Sequence, residues 1–266
     1  WCECPNCAAA RRMGGKNVRG NGCSMLDEDV LIDMNEHFFE MTPRMDIHPA
    51  RIDTLLVTHP HRDHFTPMLL SQRAMPAECV GMTIEQLQAY ISPSFTLLPM
   101  LHVYGNRFVE EAIRAVPGLM ENAERCRFTF HRLEAGTEMQ IKENLSVLPI
   151  ASIHTETPGF AYNYIIRRDG KTLLYASDTG GYTPDMLELV LAQQYDCVVM
   201  EGTFGLGAEC EGHMCLRKNI RMRDLLTAHG CWKNGVNMHL THICPHWAPP
   251  HEEYAAIVAA EGMELG

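Results

Sequence analysis

The chain has 266 residues, 46% hydrophobic and 21% charged, an ordinary globular composition with enough length for one large core and no need of a second domain. Its formal net charge of -11 disfavours long nucleic acid as the main partner, since that binding draws its affinity from Lys and Arg on phosphates, and no apolar run approaches a membrane span. Eleven cysteines, an odd number spread over a long chain, fit a reduced cytoplasmic protein better than a disulfide framework.

The N-terminal stretch Cys2-x-Cys4-x-x-Cys7 holds three thiols so close together that a tetrahedral structural zinc is favoured over a redox cluster, with the fourth ligand supplied from elsewhere. Residues 8–21 are basic and Gly-rich and read as a loop carrying Arg11, Arg12, Lys16 and Arg19. Val30-Leu31-Ile32 is a short strand that ends in Asp33, a carboxylate placed either as a surface cap or to orient metal ligands from behind.

The apolar run Thr54-Leu55-Leu56-Val57 reads as a buried strand delivering Thr58-His59-Pro60-His61-Arg62-Asp63-His64 to its end. Neutral imidazole and carboxylate form the ligand set of Zn, Mn or Fe. Alternating His residues can aim two ring nitrogens at one ion while the Asp-His pair turns toward a second. The spacing therefore predicts two metals. Any one of these residues alone reads as an ordinary polar loop residue; the whole pattern directly after a strand does not.

Beyond the metal loop, Thr83 to Gln86 is a capping box opening a helix through Ile91. Leu101 to Tyr104 is a strand, and Val109, Ala112, Ile113 and Val116 form a helix stripe ended by Pro117-Gly118. Residues 67–104 thus read as a partly helical insertion. Strands follow at Phe128–Phe130, Glu138–Ile141 and Leu145–Ile150, the last leading to His154. Ala161–Ile166 and Thr172–Ser177 are two more, and the second delivers Asp178.

Thr183-Pro184 starts a helix, Asp196–Met200 is a buried strand, and the Gly-rich segment 202–212 leads to His213 at the head of a helix ending near Gly230. That placement suits a proton donor or phosphate ligand as well as a structural His. Val236–Thr241 alternates and delivers His242, with Cys244 and His246 just beyond, and a terminal helix follows Pro250. His239 points away from the ligand-bearing position, and Cys210, Cys215, His229 and Cys231 are too scattered for a second zinc site.

The order strand-Asp33, strand-His59-x-His61-x-Asp63-His64, strand-His154, strand-Asp178, strand-His242 resembles the motif series of the metallo-β-lactamase superfamily and covers nearly the whole chain. The resemblance implies an α/β fold, an αββα sandwich of two mixed sheets flanked by helices, spanning residues 1–266 as one domain. It implies that His59, His61 and His154 hold a first metal, that Asp63, His64 and His242 hold a second, and that Asp178 bridges them. Asp63 and His213 are carried as catalytic residues, and Asp33 stands behind the ligands. Zn or Mn is expected in the pair, with Fe as a third choice.

The cysteine cluster, the Arg-rich residues and the Cys23-Ser24 turn are similar to the cyclic-phosphate phosphodiesterase branch of the carbon–phosphorus lyase pathway. In that branch a structural zinc sits on three Cys and a His, which implies Cys2, Cys4, Cys7 and His246 here, with Cys244 competing for the last place. Two departures from the family are Phe65-Thr66-Pro67, where a Gly is common, and the 67–104 insertion. No counterpart of the family's first strand precedes Trp1, so the natural chain is expected to be longer by a strand and a turn. The expected activity is hydrolysis of a small cyclic phosphodiester by a metal-activated water, with basic residues near Cys7 available to a compact phosphate. The alternatives are a thioester, lactone or lactam hydrolase on the same metals, and a non-catalytic metal-binding protein. The partner is a small molecule, and a homodimer is allowed for.

Overall fold

The computed structural model describes residues 2–266; Trp1 lies outside them. The chain divides into two compact units, one formed by the residues up to Gly20 together with Glu134–Gly266, the other by Asn21–Leu133. The first helix, α1 (Pro5–Met13), lies where the composition reads as a loop. Pro5 takes the first helical turn, where its missing N–H costs nothing, the Cys4 side chain caps the Cys7 amide, and Ala8-Ala9-Ala10 propagates the helix. The basic and Gly-rich character of the flanking residues hides these signals.

In the unit Asn21–Leu133, β1 (Ser24–Leu26) and β2 (Val30–Ile32) form an antiparallel pair. Helix α2 (Phe38–Arg44) precedes β3 (Thr54–Leu56), and α3 (Ile84–Tyr90) precedes β4 (Leu101–Gly105). Helix α4 (Arg107–Arg114) then leads to β5 (Phe128–Arg132). The sheet order is β1-β2-β3-β4-β5, parallel from β2 onward. Parallel strands covered by helices are buried as continuous runs, and β2 and β3 are buried at every position.

One face of this sheet packs Leu55, Val57, Leu101, Val103 and Phe128 with Val109 and Ile113 of α4. Gly105 lets α4 come close, since a Cβ there would stand 2.9 Å from the Val109 side chain. Truncating a fully buried leucine such as Leu55 to Ala costs about 2–5 kcal/mol. The stretch from Pro67 is partly helical, with 3-10 turns and the capping box Thr83/Gln86 of α3, and it closes where β4 begins at Leu101.

The other unit carries a seven-stranded sheet, formed after α1 by β6 (Met139–Lys142), β7 (Leu145–Ser152), β8 (Ala161–Arg168), β9 (Lys171–Ala176), β10 (Cys197–Glu201), β11 (Met238–Thr241) and β12 (Glu264–Leu265) in the order β12-β11-β10-β9-β8-β7-β6. It is antiparallel from β6 to β9 and parallel from β9 to β12. Helices α5 (Pro184–Leu191), α6 (Leu216–Ala228) and α7 (His251–Ala260) supply Val190, Leu226, Tyr254 and Val258 to its core. Both sheets are mixed and flanked by helices, the α/β class expected for the metallo-β-lactamase sandwich. Among the described residues no helix is long and apolar enough to cross a membrane.

Candidate metal centre

The metal loop of the unit Asn21–Leu133 is built on the end of β3 and fastened by Asp33. Asp33 is fully buried and accepts from the Thr58 amide at 2.7 Å and the Thr58 hydroxyl at 2.8 Å. It also accepts from His64 Nδ1 at 2.7 Å, so His64 Nε2 is the atom that could hold an ion, 3.7 Å from Asp63 Oδ2. The Asp33 carboxylate thus fixes the orientation and tautomer of the His64 ring. Thr58 has spent its proton on Asp33, so its oxygen accepts Nδ1–H of His59 at 3.1 Å and the ring's lone pair lies on Nε2. That atom lies 3.0 Å from His61 Nδ1, the separation of neighbouring ligands on one ion. Gly22 passes so close to His64 that a Cβ would stand 2.7 Å from its Cε1.

In the other unit His154 follows β7, Asp178 follows β9 and His242 follows β11. His154 donates Nδ1–H to the Gly212 carbonyl at 3.1 Å. Thr203 donates its hydroxyl to the His242 carbonyl at 3.1 Å and takes His242 Nδ1–H at 2.9 Å. Both imidazoles therefore present an Nε2 lone pair, and both face Asp178: His154 Nε2 is 3.5 Å from Oδ2 and His242 Nε2 is 3.4 Å from Oδ1. One carboxylate serving a different histidine with each oxygen is the arrangement a bridging ligand needs.

Asp33, Asp178 and His242 share a left-handed backbone, with φ of 62°, 37° and 56°. Non-glycine residues enter that region at a cost and cluster where geometry is demanded by function.

His213 lies two residues before Cys215, the N-cap of α6, and not at the head of the helix. The helix begins later because residues 203–216 fold back on themselves through Phe204 N–H to Met214 O at 2.9 Å and Leu216 N–H to Gly205 O at 2.8 Å. What orients His213 is Glu201, whose carboxylate accepts its Nδ1–H at 2.8 Å. Glu201 is fully buried at the end of β10 and also accepts from the amides of Thr179 at 3.0 Å and Thr203 at 2.8 Å. Burial works against the His213 charge, but Glu201, with Asp178 behind it, outweighs this and raises the pKa above the ordinary imidazole value. The His213 ring meets His154 edge-on at 4.8 Å. Asp178, Glu201 and His213 bring three donor atoms within 4.8 Å of one another.

Glu201 and Thr203 escape sequence reading: each is a lone polar residue past a buried strand, and only the fold shows what it holds.

The cysteine cluster forms a second donor set in the same unit. One sulfur each of Cys2, Cys4 and Cys7 and a ring nitrogen of His246 lie within 4.8 Å of one another, with His246 Nδ1 at 3.8 Å from both Cys4 Sγ and Cys7 Sγ. Cys244 is not in the cluster; its amide bonds to Thr203 O. The Cys7 amide and then His246 pull the Cys4 thiol down to about 6, while Cys4 pushes Cys7 up to about 11. Two of the four basic residues nearby have protein partners: Arg11 pairs with Glu3 at 2.6 Å and with the Cys2 carbonyl at 2.7 Å, and Arg19 donates to Ile243 O at 3.3 Å.

The profile of the β-lactamase superfamily domain matches residues 29–243. No curated protein matches the sequence. Among solved structures, the chain is similar to a diphosphatase from the PhnP family, with 20% identity over 100% of this chain and 87% of that one and a TM-score of 0.69. It is also similar to Zn(2+)-bound PqqB from Methylobacterium extorquens, with 14% identity over 100% and 91% and a TM-score of 0.64. The short form of human tRNase Z aligns at 16% identity over 88% and 90%, TM-score 0.57. At such identities the likeness is one of fold.

Proposed function

Since the chain belongs to the β-lactamase superfamily, we propose that it is a metal-dependent hydrolase of a small cyclic phosphodiester, with His59, His61, Asp63, His64, His154, Asp178 and His242 holding two divalent ions. The donor chemistry fits: five imidazoles and two carboxylates suit Zn or Mn, and four of the imidazoles have their second nitrogen or tautomer fixed by Asp33, Thr58, Gly212 or Thr203. When bound, the ions supply an acidified water and electrostatic stabilisation of the phosphoryl oxygens.

The observation that carries the reading of the leaving group, an alkoxide and not a thiolate, is the His213–Glu201 pair; the choice of phosphate rests on the resemblance carried by the cysteine cluster. A proton held on His213 by a buried carboxylate is what an alkoxide leaving group requires, whereas the thiolate of a thioester leaves without one. In the proposed reaction the water oxygen joins phosphorus, Asp63 takes the water's proton, and the ring P–O bond breaks. Nε2 of His213 gives its proton to the departing oxygen, leaving a phosphomonoester on the same molecule. Glu201 neutralises the imidazolium before and accepts the neutral ring's Nδ1–H after.

The test is turnover on 2′,3′-cyclic nucleotides and ribose cyclic phosphates beside thioesters, lactones and β-lactams, with Zn and Mn supplied in turn. Cyclic phosphodiesters should be the preferred substrates; good hydrolysis of thioesters or lactams with no phosphodiester turnover replaces this reading by the other ester class.

The set Cys2, Cys4, Cys7 and His246 is assigned a separate structural zinc. Three sulfurs and one nitrogen close a tetrahedral shell with no open position, and the ion would tie the start of α1 to the loop after His242, where Asn6 already donates to His246 O at 3.3 Å.

A further inference from the structure

The sheet of Asn21–Leu133 carries a cluster of donors that the proposed hydrolysis does not use. His102 on β4 stands opposite Thr129 on β5, and Tyr104 stands opposite His131. These four side chains share the face turned away from Val103 and Phe128, because strand side chains alternate. His102 Nδ1 lies 3.0 Å from His131 Nε2, and Thr129 Oγ1 lies 3.1 Å from the first and 3.0 Å from the second. The three atoms form a nearly equilateral triangle. Tyr104 stacks on the His131 ring at 4.7 Å and 19°, which holds that imidazole in place without using either of its nitrogens. β5 is the edge of the sheet and Thr129 is exposed, so the triangle is open to solvent.

Hydrogen bonding accounts for the triangle only in part. Three edges each call for a proton, but a neutral imidazole nitrogen is either donor or acceptor and Thr129 has one hydroxyl proton. If Thr129 donates to His102 and His131 donates to Thr129, the edge between the imidazoles has no proton of its own. Reversing His102 sets two N–H groups against each other and reversing His131 sets two lone pairs against each other, so the deficit on that edge is not removed. A cation above the triangle meets all three lone pairs at once.

The edge length suits two ligands on one cation. Metal–imidazole bonds of about 2.0–2.1 Å set two nitrogens about 3.0 Å apart when they bind at right angles, and about 3.4 Å apart at a tetrahedral angle. The observed 3.0 Å equals the separation between His59 and His61 and lies within the span that two nitrogens on one ion can take. Tetragonal coordination by nitrogen and oxygen is the preference of copper(II) and nickel(II), and copper binds such sites more tightly than its neighbours in the series.

The geometry points to a site for a tetragonal transition-metal ion, copper(II) foremost, on His102, Thr129 and His131 with water completing the shell. It is separate from the His59–His64 loop. His102 pairs with Thr54, at the end of β3 remote from Thr58, and four residues of strand span about 13 Å. The chain's net charge of -11 favours cation capture in general, and the two imidazoles supply selectivity.

The experiment titrates copper(II) alone into zinc-loaded protein and follows bound copper by electron paramagnetic resonance and retained zinc by elemental analysis. One equivalent of copper should bind with a two-nitrogen tetragonal spectrum while zinc content stays constant. His102→Gln and His131→Gln should each weaken that binding at least tenfold, and Thr129→Val should keep both nitrogens in the spectrum. Copper uptake matched by zinc release, no uptake beyond the zinc already held, or equal binding in a His131→Gln variant with unchanged circular dichroism would each overturn the assignment.

Discussion

Asp178 gives one carboxylate oxygen to each of two histidines, Oδ2 at 3.5 Å from His154 Nε2 and Oδ1 at 3.4 Å from His242 Nε2. Both separations exceed an ordinary hydrogen bond and match two ligands on a common ion. Replacing Asp178 with Ala should therefore remove ligands from two ions at once. Metal analysis should show loss of both catalytic equivalents together with hydrolysis, while full activity at unchanged stoichiometry would falsify the bridging role.

His213 is expected to act on the leaving group and not on metal binding. His213→Ala should lower kcat for a cyclic alkyl phosphodiester by about 10²–10⁴ with metal content retained. With a p-nitrophenyl ester, whose leaving group needs no proton, the loss should shrink to less than about tenfold. Equal losses on both substrates would instead make His213 a positioning residue.

How much of this site is legible in the sequence depends on how local each part is. The His59–His64 series declares itself because its donors are neighbours in the chain, and Asp178 and His242 do so because each follows a readable strand. Glu201 closes a strand just as visibly, yet nothing near it in sequence says that it will hold His213, twelve residues away across a folded-back loop. Helix α1 is hidden for a different reason: its signals, Pro5 and three alanines, are outweighed in composition by the Arg and Gly residues around them. The position of His213 ahead of α6 likewise depends on the turns at Phe204 and Leu216, which tertiary bonding sets and propensity does not.

For the proposed structural zinc the sequence leaves two candidate ligands open, and the donor cluster includes His246 and not Cys244. Cys4→Ser should lose one equivalent of zinc and lower the thermal midpoint, because the proposed zinc would fasten α1 to the loop after His242. Cys244→Ser should keep that zinc, since Cys244 stands outside the donor cluster. A loss of zinc in Cys244→Ser and none in His246→Ala would reverse the assignment.

Gly180 is the tightest approach behind the metal residues. A Cβ there would overlap the Glu211 carbonyl, and that backbone belongs to the loop that carries Gly212, the partner of His154. Because the obstacle is backbone, it cannot swing aside. Gly180→Ala should destabilise the protein by about 1–3 kcal/mol or more, read as a lower urea midpoint. In the same variant, amide exchange should quicken first in residues 203–214. A fold as stable as the parent, with that loop equally protected, would show that the loop yields without cost.

The paired imidazoles of β4 and β5 set a pH dependence that is independent of hydrolysis. Burial, and then the neighbouring His102, hold His131 below its ordinary value of 6.5. The native protein therefore binds this proton more weakly than the unfolded chain does. Where only the unfolded chain is protonated, each step toward acid favours unfolding. The stability tied to a neutral His131 is thus complete above about 6.5 and is lost as pH falls below that value through the lower native one. His131→Gln cannot titrate, so its urea midpoint should fall less than that of the parent between pH 7.5 and pH 5.5, measured on zinc-loaded protein without copper. Other titrating groups are common to both proteins and cancel in the difference. A larger acid loss in the variant than in the parent would mean that His131 gains a proton partner on folding, the opposite of what its surroundings impose.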